Sequence, residues 1–242
     1  MKNKLIIACL LCLPMLTWAH GYWLEVAGAT TKGSPVTVKI FYGEYASQIR
    51  EEGDKLDKMS DIKVSVIAPD GSKKDLTMTQ TKTHWEGIYT PTSDGCYQVV
   101  GINDTREVQD WAKHKLGVTR PIQYLRTQFT IGNPEQATTH DAPLFLDVRS
   151  QINTNNIELY AVKDGKPMNK TKVRVVNPDG WLQDKFSNAV GFVNVIPNKD
   201  GLYMVEIEWI DPNPGVFKGK NYETVRHKCA LTFTSKDMSI KF

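Results

Sequence analysis

Apolar and polar positions alternate with period two over Thr37 to Tyr42, Ile62 to Ile67, Tyr97 to Ile102 and Arg126 to Ile131. The same alternation returns over Leu144 to Val148, Ile157 to Val162, Val173 to Val176, Tyr203 to Trp209 and Val225 to Phe233. Side chains of a strand point alternately to opposite faces, so these runs predict half-buried β-strands. Clusters of Gly, Pro, Asn and Asp separate them at spacings of about ten residues, the punctuation of an all-β fold.

The strands repeat as a set. Lys63-Val-Ser-Val-Ile-Ala-Pro69-Asp70-Gly71 returns as Lys172-Val-Arg-Val-Val-Asn-Pro178-Asp179-Gly180, and Gly87 to Tyr97 is answered by Gly191 to Tyr203, at an offset of 104 to 109 residues. A period this long indicates two copies of one domain rather than a short-unit solenoid. The Asp-Gly-x-Tyr element before Tyr97 and before Tyr203 resembles a tyrosine corner, in which the hydroxyl bonds back to the chain just upstream. The expected fold is therefore two tandem immunoglobulin-like β-sandwiches, at 20–133 and 143–242. The polar stretch Gly132 to Ala142 forms their boundary.

Two segments depart from the strand pattern. Glu44 to Asp61 carries the run Arg50-Glu51-Glu52-Gly53-Asp54-Lys55 and reads as a charged surface insertion. Thr105 to Leu116 sets Val108, Trp111, Ala112 and Leu116 on one side of a short helix, capped by Thr105 and carrying His114.

The first nineteen residues change the picture of the chain's destination. Lys2 and Lys4 precede an apolar run from Leu5 to Leu16, and Thr17-Trp18-Ala19 ends it with small residues at the cleavage-determining positions. This is the pattern of a secretory signal peptide, and the run is too short to span a bilayer. A soluble, exported, periplasmic protein is expected, with no membrane span after the leader. Ile6-Ile7-Ala8-Cys9 looks like a lipobox, but too little apolar chain precedes Cys9 for acylation.

Of four cysteines, Cys9 and Cys12 leave with the leader. Cys96 and Cys229 invite a disulfide in an oxidising compartment. Against this, Cys96 holds the repeat position that Leu202 fills in the second copy, as a buried apolar thiol would. Without Lys2 and Lys4, 28 Lys and Arg face 27 Asp and Glu, a balance that excludes attraction of nucleic acid by global charge. Specificity must be local.

The local candidates are histidines. Cleavage after Ala19 makes His20 the N-terminal residue, joining an α-amino group and an imidazole that chelate one metal ion together. His227 falls on the apolar face of its strand with Val225, Cys229, Leu231 and Phe233, while Arg226, Lys228, Ala230 and Thr232 fall on the wet face. His84 precedes a strand and stands at a sandwich edge. His20, His227 and His84 are the candidate metal ligands. No His-x-x-x-His or Cys-x-x-Cys spacing occurs, so distant segments must assemble any site. No catalytic set emerges, and a non-enzyme is expected.

The start His20-Gly21-Tyr22-Trp23-Leu24-Glu25, the strand Phe41-Tyr42-Gly43-Glu44, the Pro69-Asp70-Gly71 turn and the closing Tyr222…Val225 to Phe233 segment together resemble the bacterial domain-of-unknown-function 4198 family. The resemblance spans nearly all of the chain after the leader. It implies an exported two-sandwich protein with His at its processed N-terminus, serving nickel or cobalt uptake in the cell envelope. Affinity order alone favours Cu(II) at an amine–imidazole site, so Ni, Co and Cu all stand as the metal. Two other classes remain open. One is a copper-dependent polysaccharide monooxygenase, suggested by the His-Gly-Tyr start. The other is a structural or carbohydrate-binding module using Trp23, Trp85, Trp181 or Trp209.

Overall fold

The computed structural model describes residues 20–28, 31–132, 142–153 and 156–235. The expected leader with Cys9 and Cys12, and residues 133–141 of the expected boundary, lie outside the described residues. The first repeat forms β1 (Gly21–Gly28), β2 (Val36–Glu44), β3 (Ile49–Arg50), β4 (Lys63–Ile67), β5 (Lys73–Leu76), β6 (Thr79–Gln80), β7 (Trp85–Tyr89), β8 (Gly95–Asn103), β9 (Gln109–Asp110) and β10 (Val118–Ile131). The second forms β11 (Leu146–Ile152), β12 (Ile157–Lys163), β13 (Lys166–Pro167), β14 (Lys172–Val176), β15 (Leu182–Phe186), β16 (Phe192–Val195), β17 (Gly201–Asp211), β18 (Gly215–Phe217), β19 (Lys220–Tyr222) and β20 (Thr224–Ser235). The protein is all-β, as the alternation predicts.

A nine-stranded sheet runs through both repeats in the order β15-β14-β17-β20-β10-β8-β4-β5, with β9 on β10. At its centre the last strands of the two repeats pair in parallel, from Thr119 opposite Thr224 to Arg126 opposite Leu231. Every other pairing between strands is antiparallel among the described residues. Parallel contact between equivalent strands places the repeats about a two-fold along the strand direction, so the sheet's faces exchange roles between them.

Side chains confirm the exchange. Leu125 of β10 enters a core with Leu24, Ile40, Val66 and Tyr97, beneath the sheet β1-β2-β7-β6. Its neighbour Tyr124 enters the other core with Leu146, Leu159, Val205 and Leu231, beneath β11-β12 and β16. Adjacent residues of one strand thus serve two cores on opposite faces. For the same reason Ala230 and Thr232, expected on the wet face of β20, are buried. β1 lies over them, and the Thr232 hydroxyl donates to the Leu24 carbonyl.

Both tyrosine corners form. Tyr97 Oη donates to the Ser93 carbonyl at 2.8 Å and accepts the Ser93 N–H at 3.0 Å. Tyr203 Oη repeats this with Lys199 at 2.9 and 3.1 Å. The two Pro-Asp-Gly turns also repeat, and the second has a further role. Gly180 sits at φ +83°, and a Cβ there would lie 1.8 Å from the Ala46 carbonyl oxygen. Only glycine meets both demands, and through it the second repeat seats the turn that follows β2.

The two irregular segments differ from their sequence patterns. Within 44–61, a 3-10 helix over Gly53–Met59 drives Leu56 and Met59 fully into the first core and turns its charges outward. The helix expected over 105–116 is absent. Gln109–Asp110 pairs with Val118–Thr119 instead, and a single 3-10 turn, Ala112–His114, closes on Lys115 in the left-handed region at φ 60°. Twelve residues with one narrow apolar side make a marginal helix, and pairing with β10 satisfies the backbone groups better.

Over residues 123–127 β10 is buried on both faces, so a polar residue there has no route to water. Arg126 is fully buried and donates to Asp147 Oδ2 at 2.6 Å and to Gln98 Oε1 at 2.6 Å. Asp147, on β11, is equally buried, and the loss of water pushes its carboxyl up against the opposing pull of Arg126. Removing one partner of such a pair strands a charge, whereas replacing both is tolerated. Asp147→Ala is expected to lower stability by about 3–5 kcal/mol in urea unfolding, and Arg126→Met with Asp147→Leu to recover most of it. A single-variant loss below about 1 kcal/mol would contradict this reading of the pair.

Candidate functional site

β1 is an edge strand, and the register Gly21 opposite Gly43 puts its first residues beside the end of β2. His20 precedes this pair. Its ring lies 5.2 Å from that of Tyr42, which in turn lies 5.1 Å from Tyr22, so the imidazole extends an aromatic row along the face that becomes the first core.

Two carboxylates flank the ring. His20 Nε2 lies 2.7 Å from Glu51 Oε1, and Nδ1 lies 3.4 Å from Glu44 Oε1. The imidazole is about a third exposed while the carboxylates are mostly covered, at 17% for Glu44 and 14% for Glu51. Lys55 pairs with Glu51 through the other oxygen, Oε2. Lys55 first, and then His20, hold the Glu51 carboxyl below its ordinary range. Lys58 Nζ stands 4.2 Å over the Tyr42 ring, completing a cationic margin.

The donor set fits a small transition-metal ion in part. Two adjacent ligands, each about 2.0–2.2 Å from a metal, stand roughly 2.9–3.4 Å apart, and the Nδ1 to Glu44 separation falls within that range. Glu51 lies on the far side of the ring and cannot share the ion with them. Among the described residues no three His, Cys, Asp or Glu side chains converge on one point.

On the opposite face of β1 a cleft of about 810 Å³ opens between the repeats. Gly21, Trp23, Gly43, Glu44, Tyr45 and Ala46 form one wall, and the outer face of β14, β15, β17 and β20 forms the floor. The floor is a charge ladder across strands. Arg174 pairs with Asp184 at 2.9 Å, Lys172 with Asp184 at 3.7 Å, Arg226 with Glu208, and Lys228 with Glu206. Cross-strand pairs of opposite charge stabilise a sheet face by a few tenths of a kcal/mol each, roughly 0.2–1, and account for this ladder without a ligand. Tyr45 closes the inner end by donating to the Leu202 carbonyl, and burial pushes its hydroxyl well above the usual range.

The three candidate histidines stand apart. His84 lies in the turn before β7, on the other face of the sheet from His20, with its ring 5.1 Å from Phe41. Its nitrogens meet Thr83 Oγ1 at 2.9 Å and Glu86 Oε2 at 3.1 Å. His227 points into the second core as the alternation predicts. It is boxed by Tyr124, Phe145 and Trp209, and its Nδ1 lies 3.0 Å from Tyr124 Oη. Burial pulls the His227 imidazole down to about 4.

Cys96 and Cys229 are buried and free, and burial raises both thiols, away from thiolate chemistry. Trp23 is buried, whereas Trp181 is 58% exposed at the turn before β15. Of the residues around His20, Glu44 belongs to the Phe41-Tyr42-Gly43-Glu44 motif. Glu51 sits in the charged run, where the sequence carries no signal to separate it from Glu52.

A family described as a domain of unknown function, DUF4198, matches residues 17–211. No curated protein matches the sequence. Among solved structures, the chain is similar to native alpha-2-macroglobulin from Escherichia coli spanning domains NIE to MG1, at 11% identity and a TM-score of 0.23, over 86% of this chain and 97% of that one. It is also similar to the BSP domain of a biofilm-associated protein, at 10% identity and a TM-score of 0.22, over 90% of this chain and 30% of that one. No helix among the described residues is long and apolar enough to cross a membrane.

The environment of His227 sets a pH dependence. Its imidazole pKa falls from 6.5 to about 4 on folding. Between those values the unfolded chain takes up a proton that the folded chain refuses, so this contribution is complete above pH 6.5 and is lost as the pH falls toward 4. His227→Gln is expected to flatten the thermal midpoint over this window relative to the parent protein. Midpoints that fall in parallel would remove His227 as the cause.

Proposed function

The chain belongs to the DUF4198 family, and we propose that it is an exported, non-catalytic metal-binding protein whose site is built on His20 once residues 1–19 are removed. The leader-like start supports the export step, with Ala19 as the residue before the cut. Cleavage there leaves His20 with a free α-amino group two bonds from the carbon that carries its imidazole. The α-nitrogen and Nδ1 then close a six-membered chelate around one ion.

The observation that carries this reading is the place of Glu44. Its carboxylate stands 3.4 Å from Nδ1, the ring nitrogen that chelates together with the residue's own amine. An amine, an imidazole and a carboxylate form an N,O donor set that suits Cu(II), Ni(II) and Co(II). The partly exposed ring leaves the remaining positions on the ion open to water or to a donor from another molecule, as delivery requires. The family resemblance favours Ni or Co as cargo and an envelope uptake system as recipient. His84 and His227 are not assigned to the site, since each is already engaged elsewhere.

The test is calorimetry with Ni(II), Co(II) and Cu(II) on the chain that starts at His20. Tight one-to-one binding is expected. Acetylation of the His20 amine is expected to abolish it, because the chelating amine becomes an amide nitrogen. Glu44→Ala is expected to weaken it about tenfold or more. Equal affinity with and without the acetyl group would overturn the proposal.

A further inference from the structure

Two glutamates stand side by side in the charged run, and the fold treats them differently. Glu52 is half exposed and reaches Lys82 at 3.6 Å. Glu51 is mostly covered and is tied at three points. Its N–H donates to the Tyr42 carbonyl at 2.8 Å, its Oε2 takes Lys55, and its Oε1 takes His20. Lys55 belongs to the 3-10 helix that Leu56 and Met59 anchor in the first core. Contacts therefore run from the core through Lys55 and Glu51 to the imidazole.

The two carboxylates do not hold the ring equally. At 2.7 Å, Glu51 makes a full charge-assisted hydrogen bond to Nε2, while Glu44 at 3.4 Å is too far from Nδ1 for one. A neutral imidazole carries one N–H, and this asymmetry puts it on Nε2. The Nδ1 lone pair is then left facing Glu44.

From this we infer that Glu51 is a positioning residue, which takes the Nε2–H of His20 and so reserves Nδ1 for the metal. The inference rests on the metal reading above and adds to it what selects the donor atom. A histidine free to present Nε2 would reach the ion without its own amine and lose the chelate. Carboxylates that orient a ligating imidazole through its other nitrogen typically alter metal affinity about 10–100-fold. An amine and an imidazole nitrogen beside a carboxylate would suit Cu(II) and Ni(II).

The test uses the chain that starts at His20, as wild type, Glu51→Ala and Glu52→Ala, with thermal midpoints to establish that all three fold. Long-range proton–nitrogen NMR correlations of the metal-free protein, at a pH where His20 is neutral, read its tautomer. Calorimetry with Cu(II) and Ni(II) reads affinity. The expected result is the Nε2–H form in wild type and Glu52→Ala, a mixture in Glu51→Ala, and an affinity loss of about 10–100-fold in Glu51→Ala alone. An Nδ1–H form in wild type, or unchanged tautomer and affinity in Glu51→Ala, would overturn the inference. If no variant binds either metal, the metal reading fails and takes the inference with it, while the tautomers still report whether Glu51 orients the ring.

Discussion

The parallel seam between β10 and β20 is the constraint from which the rest of the structure follows. It joins the final strands of the two sequence repeats, and parallel contact of equivalent strands exchanges the faces of the shared sheet. One covering sheet then lies above and the other below, so the middle of each seam strand is buried on both faces. Leu125 and Ala230 fill one core while Tyr124 and Leu231 fill the other. Arg126 is enclosed by the same geometry, and the Asp147 carboxylate of the second repeat offsets the cost of its burial.

The seam also places the cleft. The sheet headed by β1 covers its own half of the central sheet and overlaps the other half only as far as Trp23, Phe41 and Tyr45, which pack on Val176 and Met204. Beyond that overlap the central sheet carries its charge ladder along the floor of the cleft. The first residues of β1 stand at this margin, with Gly21 close above Glu206 and Lys228 and His20 turned to the other face between Glu44 and Glu51. The proposed chelate would sit at this margin, held by an ordered strand and open to a partner.

Much of the fold is legible in the residues themselves. Alternation marks the strands, Pro-Asp-Gly marks equivalent turns, and Asp-Gly-x-Tyr marks two tyrosine corners, because each is a local rule. The seam is not local. Ala230 and Thr232 occupy positions that an isolated sandwich would leave wet, and nothing in Val225 to Phe233 reveals the strand β1 that covers them. Arg126 reads as a surface residue until both faces of β10 are seen to be covered. At the site, His20 is legible as the residue that follows a cleavage pattern. Glu44 is legible only as part of a motif. Glu51 differs from Glu52 in its neighbours alone, and those neighbours are brought in by the buried Leu56 and Met59, whose spacing is masked by the charges between them.

The central claim is that removal of the first nineteen residues creates a metal site at His20. Native mass spectrometry of the protein recovered from the cell envelope tests it most directly, since one spectrum reports both the N-terminus and the bound ion. The account predicts a chain that begins at His20 and carries one Ni, Co or Cu ion, or takes up one when these metals are supplied. A chain that begins at another residue, or one that begins at His20 and takes up none of the three, would contradict it.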